Sequence, residues 1–400
     1  MISVHDGRAR ILSQITTVAP PELLAVGRGL GRVLAEDIRS GMDVPPTDNS
    51  AVDGYAVRSA DIPGGGTREL TVVADLPAGA VFSGALHTGQ VLRIMTGAPM
   101  PAGADTVYPQ EIVDRRGDRV TIPSLPRGAN VRQRGEDVKA GAVVISAGSV
   151  LRPQELGVAA SLGLAQILVR QKPRVAILST GDEVAEPGAE RKPGQIFDSN
   201  RYSLRGLVEA AGGQVSDCGI VPDLFEVLES RLLQAAASAD IVVSSGGVSV
   251  GDYDLVKAVL QRAGGIDFWQ VAMQPGRPLA VGRIGGAHFF GLPGNPVASM
   301  LTFHLFVRPA LWKLAGRREL DGPRFRAVAV EAMKKKEGRR EYKRGIVAYA
   351  GERWEVRTTG PQGSGILTSM TLANCFITIE EERGDVKAGE TVWVEPFNAW

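Results

Sequence analysis

Residues that could do chemistry gather in four loops, each following an apolar run. The stretch SSGGVSVGDYD at 244–254 joins a buried-strand pattern to a helix pattern. Its glycines lack the Cβ atoms that would stop backbone N–H groups converging on an anion near a helix N-terminus. Ser245, Gly246, Gly247, Ser249 and Gly251 are therefore candidate phosphate-cradle residues. Asp252 and Asp254 follow at once, where carboxylates would hold a divalent cation such as Mg²⁺ against a phosphate. The plainer reading is a glycine turn with Asp252 capping the next helix. A second acidic loop, STGDE at 179–183, carries Glu183 and leaves an earlier strand of the same pattern, so both loops would open on one sheet edge. QPGRP at 274–278, with Gln274 and Arg277, and LPGNP at 292–296, with Pro293 and Pro296, also follow strands. Their prolines fix shapes that a mere connection would not require.

Other chemistries are weaker in the residues. Gly247-Val248-Ser249-Val250-Gly251 matches the nucleophile-elbow pattern, with Asp267 and His288 following in hydrolase order. A serine elbow needs a sharp strand-to-helix turn, whereas Ser249 falls mid-loop between a glycine pair and carboxylates. No Gly-Lys pair exists for a Walker loop, and no Gly-x-Gly-x-x-Gly follows a strand, which disfavours ATP-type kinases and Rossmann dehydrogenases. His5, His87, His288 and His304 show no metal-ligand spacing, and Cys218 and Cys375 form no Cys-x-x-Cys motif. KKKEGRREYKR at 334–344 has seven basic residues in eleven and reads as a solvated hairpin edge, with an anion-facing rim as the alternative.

The elements that must position these loops are most legible over 174–316. RVAILSTG is a continuous apolar run of buried-strand type, followed by a helix pattern with Leu204, Leu207, Val208 and Ala211 on one stripe. QVSDCGIV, a helix opened by an Asp223/Glu226 capping box, DIVVSSGG and a helix from about Asp252 to Ala263 continue a βαβαβα order. FWQVAM, LAVGRI and AHFFGL add a hairpin, and Asn295-Pro296 starts a last helix. The expected fold is a three-layer, doubly wound α/β domain with ligands at the carboxyl ends of its strands. Short β-like runs punctuated by Gly and Pro make 41–138 a β-rich module, and alternation after 320 indicates a small β-barrel or sandwich. Two further helices are expected, one capped by Asp6 and one over 153–167.

Composition agrees with several folded domains. Four hundred residues with 44% hydrophobic and 22% charged residues exclude wholesale disorder, and a net charge of +1 provides no general field for nucleic acid or anionic lipid. No run of about 18 apolar residues or signal-peptide pattern appears, so the expectation is a soluble, cytoplasmic protein.

Seven motifs together resemble the molybdopterin molybdenumtransferase family, which includes the bacterial molybdenum insertase and the carboxyl-terminal part of gephyrin. They are PPTDNSAVDGYAVR (45–58), RIMTGAPMPAGADTV (93–107), RQRGEDVKAGAVV (132–144), ILSTGDE (177–183), GQIFDSN (194–200), SSGGVSVGDYD and FFGLPGNPVAS (289–299). The resemblance spans essentially the whole chain. It implies an elongated, discontinuous domain over 1–40 and 139–170, an inserted β-rich domain over 41–138, an α/β molybdopterin-binding domain over 171–317 and a C-terminal β-barrel over 318–400. It further implies a homodimer whose active sites combine the α/β and barrel domains of one subunit with the inserted domain of the other. The implied reaction puts molybdate onto the dithiolene of adenylylated molybdopterin with release of AMP and the help of Mg²⁺, the substrate coming from a molybdopterin adenylyltransferase.

Position by position, the resemblance carries over Asp53, Glu183 and Asp254 as catalytic acids; Glu183 and Asp254, with Asp252 from the loop reading above, are the expected metal ligands. Thr96, Asp137, Asp223, Pro293, Pro296, Arg344 and Ser364 carry over as substrate-binding residues, beside the cradle residues and Gln274 and Arg277. Three departures stand out: the family's Lys-Pro-Gly-Lys-Pro is Gln274-Pro275-Gly276-Arg277-Pro278, the His closing Gln-Gly-Ser-His is Gly365, and Thr47 replaces the usual Phe. A non-catalytic scaffold or pterin-binding member of the family is the second reading, and the Ser249 hydrolase the third.

Overall fold

The computed structural model describes residues 1–397 apart from 17, 78, 247–258, 260–261 and 263–264. The chain divides into two compact units: Glu36–Ala147 with Pro153–Ala165, and Met1–Ala35 with Gly148–Arg152 and Gln166–Trp400.

The first unit is built on a six-stranded sheet in the order Thr106–Pro109, Gly54–Val57, Gln90–Ile94, Thr67–Leu76, Arg119–Pro123, Asp114–Arg116. Pairing is antiparallel except between Thr67–Leu76 and Gln90–Ile94. Successive residues point to opposite faces, and both faces are buried: Tyr55 and Val57 join Leu70, Tyr108 and Ile122, while Ala56 joins Leu92, Ile94 and Val107. Gly54 is obligatory, because a Cβ there would sit 1.9 Å from the Tyr108 carbonyl oxygen. The helix expected over 153–167 ends at Ser161. Gly163 follows with φ 77°, and Gln166–Arg170, already part of the second unit, pairs as a strand with that unit's Pro21–Ala25.

The second unit contains the expected α/β layers. Its sheet runs Gln214–Val221, Arg174–Thr180, Ile241–Ser245, Ala287–Leu292, Pro278–Ile284, Ile266–Gln270, with the first four strands parallel and the last two pairings antiparallel. Val175, Ile177, Val243 and Leu292 face a core shared with Leu204 and Val208 of the helix Asn200–Ala210 and with Leu301 and Leu311. Ala176, Leu178, Val242 and Phe289 face Leu228 and Leu232 of the helix Phe225–Ser238 on the other side. Burial on both faces explains why these strands read as unbroken apolar runs. Two caps differ from expectation. Ser3, not Asp6, caps Val4–Gln14 by accepting the Asp6 N–H at 3.0 Å. Leu224, not Asp223, is the N-cap of Phe225–Ser238, and no side chain bonds there. The helix expected from Asp252 to Ala263 lies largely outside the described residues.

From Pro296 to Leu314 the chain is helical throughout, with a π-helical segment over Phe303–Val307. Pro309 lies just beyond it; lacking an N–H, proline cannot continue the ordinary ladder, and widening is one way to accommodate it. The C-terminal strands close into a five-strand barrel: Arg340–Ala350, Arg353–Thr358, Phe325–Ala329, Thr391–Pro396, Cys375–Ile379 and back to Arg340–Ala350. Met273–Gln274 pairs in parallel with Arg340 and Glu341, tying the QPGRP loop to the barrel wall. The basic stretch before the wall is largely paired. Lys334 bonds Asp385, Lys343 bonds Glu341, Arg340 bonds Glu381, and buried Lys335 donates to the carbonyls of Lys336, Glu381 and Arg383. The stretch is therefore not the solvated edge read from its sequence, since Lys335, Lys343 and Arg344 are buried and bonded within the barrel.

Candidate functional site

At the carboxyl ends of the parallel strands, the loops converge on a cleft of about 530 Å³. Glu183 and Gly246 come from two strand ends, Gln274, Pro275, Gly276 and Pro278 from the QPGRP loop, and Pro293, Gly294, Asn295 and Ala298 from LPGNP and its helix. Gln362, Gly363 and Ser364 come from a barrel loop. Glu183 is the one charged side chain in this lining among the described residues.

The STGDE loop is shaped by Gly181, with φ 130°. A Cβ there would lie 2.5 Å from Glu183 Oε2, so the glycine gives the carboxylate its seat. Glu183 is also fixed through its backbone, whose carbonyl accepts the Ile196 N–H at 2.8 Å, beside the short parallel pair Val184–Ala185 and Ile196–Phe197. Asp182, not singled out from sequence, accepts the Asp223 N–H at 3.3 Å. Burial, then the charges of Asp182 and Glu183, pushes the Asp223 carboxyl above its usual range. Asp223 thus belongs to an acidic group at the strand ends and does not cap a helix.

Gly246 follows Ser245 with φ 91°, and a Cβ there would meet the Thr180 carbonyl oxygen at 2.8 Å. Its N–H donates to the Leu292 carbonyl at 3.1 Å, so Gly246 gives the floor space and a cross-link rather than a free anion donor. Ser245 lies beneath that floor, its Oγ accepting from Asn200 Nδ2 at 2.7 Å. Gly247, Ser249, Gly251, Asp252 and Asp254 lie outside the described residues. Pro296 occupies the first turn of its helix, as expected for Asn-Pro, although the Asn295 side chain makes no capping bond. Ser364 receives the Val297 N–H on its carbonyl oxygen at 3.1 Å, which joins the barrel loop to the LPGNP helix.

Arg344 is wholly buried and reaches this loop from below. Its Nε donates to Ser369 Oγ at 2.9 Å and its Nη2 to the Gly363 carbonyl at 2.9 Å, while its backbone N–H goes to Gln362 Oε1 at 2.8 Å. Burial pulls its pKa below the ordinary arginine value. Arg344 therefore holds up the cleft wall and is not part of its lining. Gln274 lines the cleft, whereas the Arg277 guanidinium donates to Gln270 Oε1 at 2.7 Å and Arg277 is absent from the lining.

In the other unit, Asp53 and Thr96 are brought together. One Asp53 carboxylate oxygen accepts both the Thr96 N–H and the Thr96 hydroxyl, each at 2.7 Å, and these bonds hold its carboxyl below the usual range. Asp137 is exposed and its backbone N–H donates to the Val44 carbonyl at 3.0 Å. The hydrolase partners are not at the cleft. His288 pairs with Ile241 at the start of its strand, four residues or about 13 Å from the end that carries Ser245.

For a metal, Glu183 offers the hard oxygen donor that Mg²⁺ prefers. Among the described residues no three His, Cys, Asp or Glu side chains converge at ligand spacing. A complete shell would need further oxygens, with Asp252 and Asp254, outside the described residues, the candidates from sequence.

A doubly wound domain with its cleft at the strand ends, walled by a closed barrel, defines a protein that binds a small molecule in that cleft. Comparison places it further. The family profile described as "MoeA N-terminal region (domain I and II)" matches residues 2–163, "Probable molybdopterin binding domain" matches 176–313, and "MoeA C-terminal region (domain IV)" matches 326–397. A Haemophilus influenzae protein named molybdopterin molybdenumtransferase is 41% identical, covering 100% of this chain and 99% of its own. Molybdopterin molybdenumtransferase 2 of Mycobacterium tuberculosis is 36% identical over 98% of this chain and 99% of its own. A crystal structure of the molybdopterin biosynthesis moeA protein from Pyrococcus horikoshii has TM-score 0.88 at 32% identity, covering 99% of this chain and 100% of that one. The chain belongs to the MoeA family.

Proposed function

We propose that the protein is a molybdopterin molybdenumtransferase, acting in molybdenum cofactor biosynthesis by inserting molybdate into adenylylated molybdopterin with release of AMP. The observation that carries this reading is the cleft itself. Five segments that are far apart in sequence, three of them in motifs shared with the family, meet around one carboxylate at the strand ends. Full-length similarity to relatives bearing that name supports it.

In this reading Glu183, seated by Gly181, would be the cleft's anchor for the cation that meets the phosphate. Gln274 and Gln362 supply neutral amides to the substrate's polar groups, and Pro275, Pro293 and Pro278 make the wall stiff, so little ordering is required on binding. Mg²⁺ held by Glu183 with Asp252 and Asp254 would neutralise phosphate charge. Asp53, braced by Thr96, stays ionised as a second carboxylate. The working protein is a cytoplasmic homodimer, receiving its substrate from a molybdopterin adenylyltransferase.

The test is AMP release from adenylylated molybdopterin, with and without molybdate and with and without Mg²⁺. Molybdate-dependent release is expected, and its absence in every condition would sink the assignment. Loss of release on Mg²⁺ withdrawal, restored on adding it back, is the expected sign of the metal.

A further inference from the structure

Asn200 opens the helix Asn200–Ala210, is only 9% exposed and does not cap that helix, whose N-cap is Ser199. Both hydrogens of its amide leave the helix for other loops. Nδ2 donates to Ser245 Oγ at 2.7 Å, at the end of one strand, and to the Gly294 carbonyl at 2.7 Å, in the LPGNP turn. The same two turns meet directly: the Cβ position of Gly294 is 3.9 Å from Gly246 Cα, and Gly246 N–H donates to Leu292 O. Asn200 Oδ1, by contrast, is buried without a partner, as is the neighbouring Thr180 Oγ1.

A buried acceptor left unpaired is costly, and an apolar residue of similar size would avoid that cost. The amide is retained where two donors on one nitrogen are needed at short reach. Aspartate has the shape but no donor when ionised, and serine has only one. We propose that Asn200 is a positioning residue that locks the Ser245–Gly246 turn to the Pro293–Asn295 turn, making the cleft floor one preorganised surface for the phosphate-bearing part of the substrate. The proposal deepens, and for its substrate rests on, the function given above.

The experiment reads the lock and the reaction separately. Amide exchange is measured on substrate-free full-length protein, in segments 241–246 and 291–296, for wild type, Asn200→Ala, Asn200→Asp and Ser245→Ala. Removing two hydrogen bonds should speed Gly246 exchange by about tenfold or more in both Asn200 variants, and by less in Ser245→Ala, while the melting temperature stays within a few degrees. In the AMP-release assay, kcat/KM for adenylylated molybdopterin should fall by about tenfold or more, with the half-saturation for molybdate little changed. Combining Asn200→Ala with Ser245→Ala should cost no more than Asn200→Ala alone, since both remove the same bond. Wild-type exchange at Gly246 in both Asn200 variants overturns the proposal, as does faster exchange with unaltered kcat/KM. Should neither Asn200 variant fold, Ser245→Ala decides by the same readings. A wild type that exchanges slowly but releases no AMP would instead refute the function and leave the lock standing.

Discussion

Glu183 is seated by the bare Cα of Gly181, and that contact makes its carboxylate the fixed charge of the cleft. Glu183→Gln keeps the shape and removes the charge; AMP release should fall by about 100-fold or more with an unchanged melting curve, and normal turnover would exclude Glu183 from the chemistry. Gln274 is the opposite case, a neutral amide lining a site proposed for an oxyanion. A charge-assisted hydrogen bond exceeds a neutral one by roughly 1 kcal/mol, so Gln274→Lys should tighten molybdate half-saturation by on the order of tenfold. An unchanged half-saturation would show that this position does not meet the oxyanion. Arg277→Gln should have little effect, because its guanidinium is engaged with Gln270. Asp223 gives a pH signature. Its carboxyl is raised in the fold, by burial first and then by Asp182 and Glu183, so the folded state binds a proton more readily than the unfolded chain. Stability from this group therefore falls as pH rises from the ordinary value of 3.8 through the folded one, and the cost is fully present above it. Asp223→Asn should stabilise the protein at pH 7 by a few tenths of a kcal/mol, the carboxyl being only partly shielded from water, and the gain should vanish below the ordinary aspartate value. Melting curves at the two pH values check the sign.

At the level of elements, the site is held by contacts between structures that sequence does not place side by side. Arg344 on the strand Arg340–Ala350 holds the 361–363 turn through guanidinium bonds to the Pro361 and Gly363 carbonyls and a backbone bond to Gln362, and it bonds Ser369 besides. Arg344→Ala should remove the guanidinium bonds to Gly363 and Ser369 and empty a buried site, costing about 2–4 kcal/mol and loosening the cleft wall. The expected reading is a lower melting temperature together with a raised KM, and a loss of turnover with full stability would place Arg344 on the substrate instead. The strands Arg174–Thr180 and Ile241–Ser245 were legible because burial on both faces demands unbroken apolar runs. The stripe Leu204, Leu207, Val208 was legible because a helix with one buried side must repeat at that period. Caps were not: serine and aspartate at 3 and 6 are both competent, and geometry alone chose Ser3. Asn200 was invisible as a lock because its partners lie 45 and 94 positions away, and Asp182 because it acts on the backbone of Asp223. The direction of Arg277, toward Gln270, likewise follows from strand pairing that no local pattern encodes.

For the whole molecule, a net charge of +1 offers no steering field, so an anionic substrate must be recognised by local groups. The described cleft contributes a carboxylate and amides, and the Asp53–Thr96 pair belongs to the other compact unit. The proposed homodimer makes each site from two chains, an arrangement with a quantitative consequence. Mixing equal amounts of Asp53→Ala and Asp254→Ala chains and allowing exchange yields about half heterodimers. In each heterodimer one site receives both altered residues and the other receives both intact ones. Activity should therefore recover to about one quarter of wild type, from near zero for either homodimer. If each site were instead complete within one chain, every site in the mixture would carry one altered residue and no activity would return. Subunit exchange verified by mass spectrometry, followed by the AMP-release assay, separates the two, and verified heterodimers without recovery would assign Asp53 and Asp254 to one subunit.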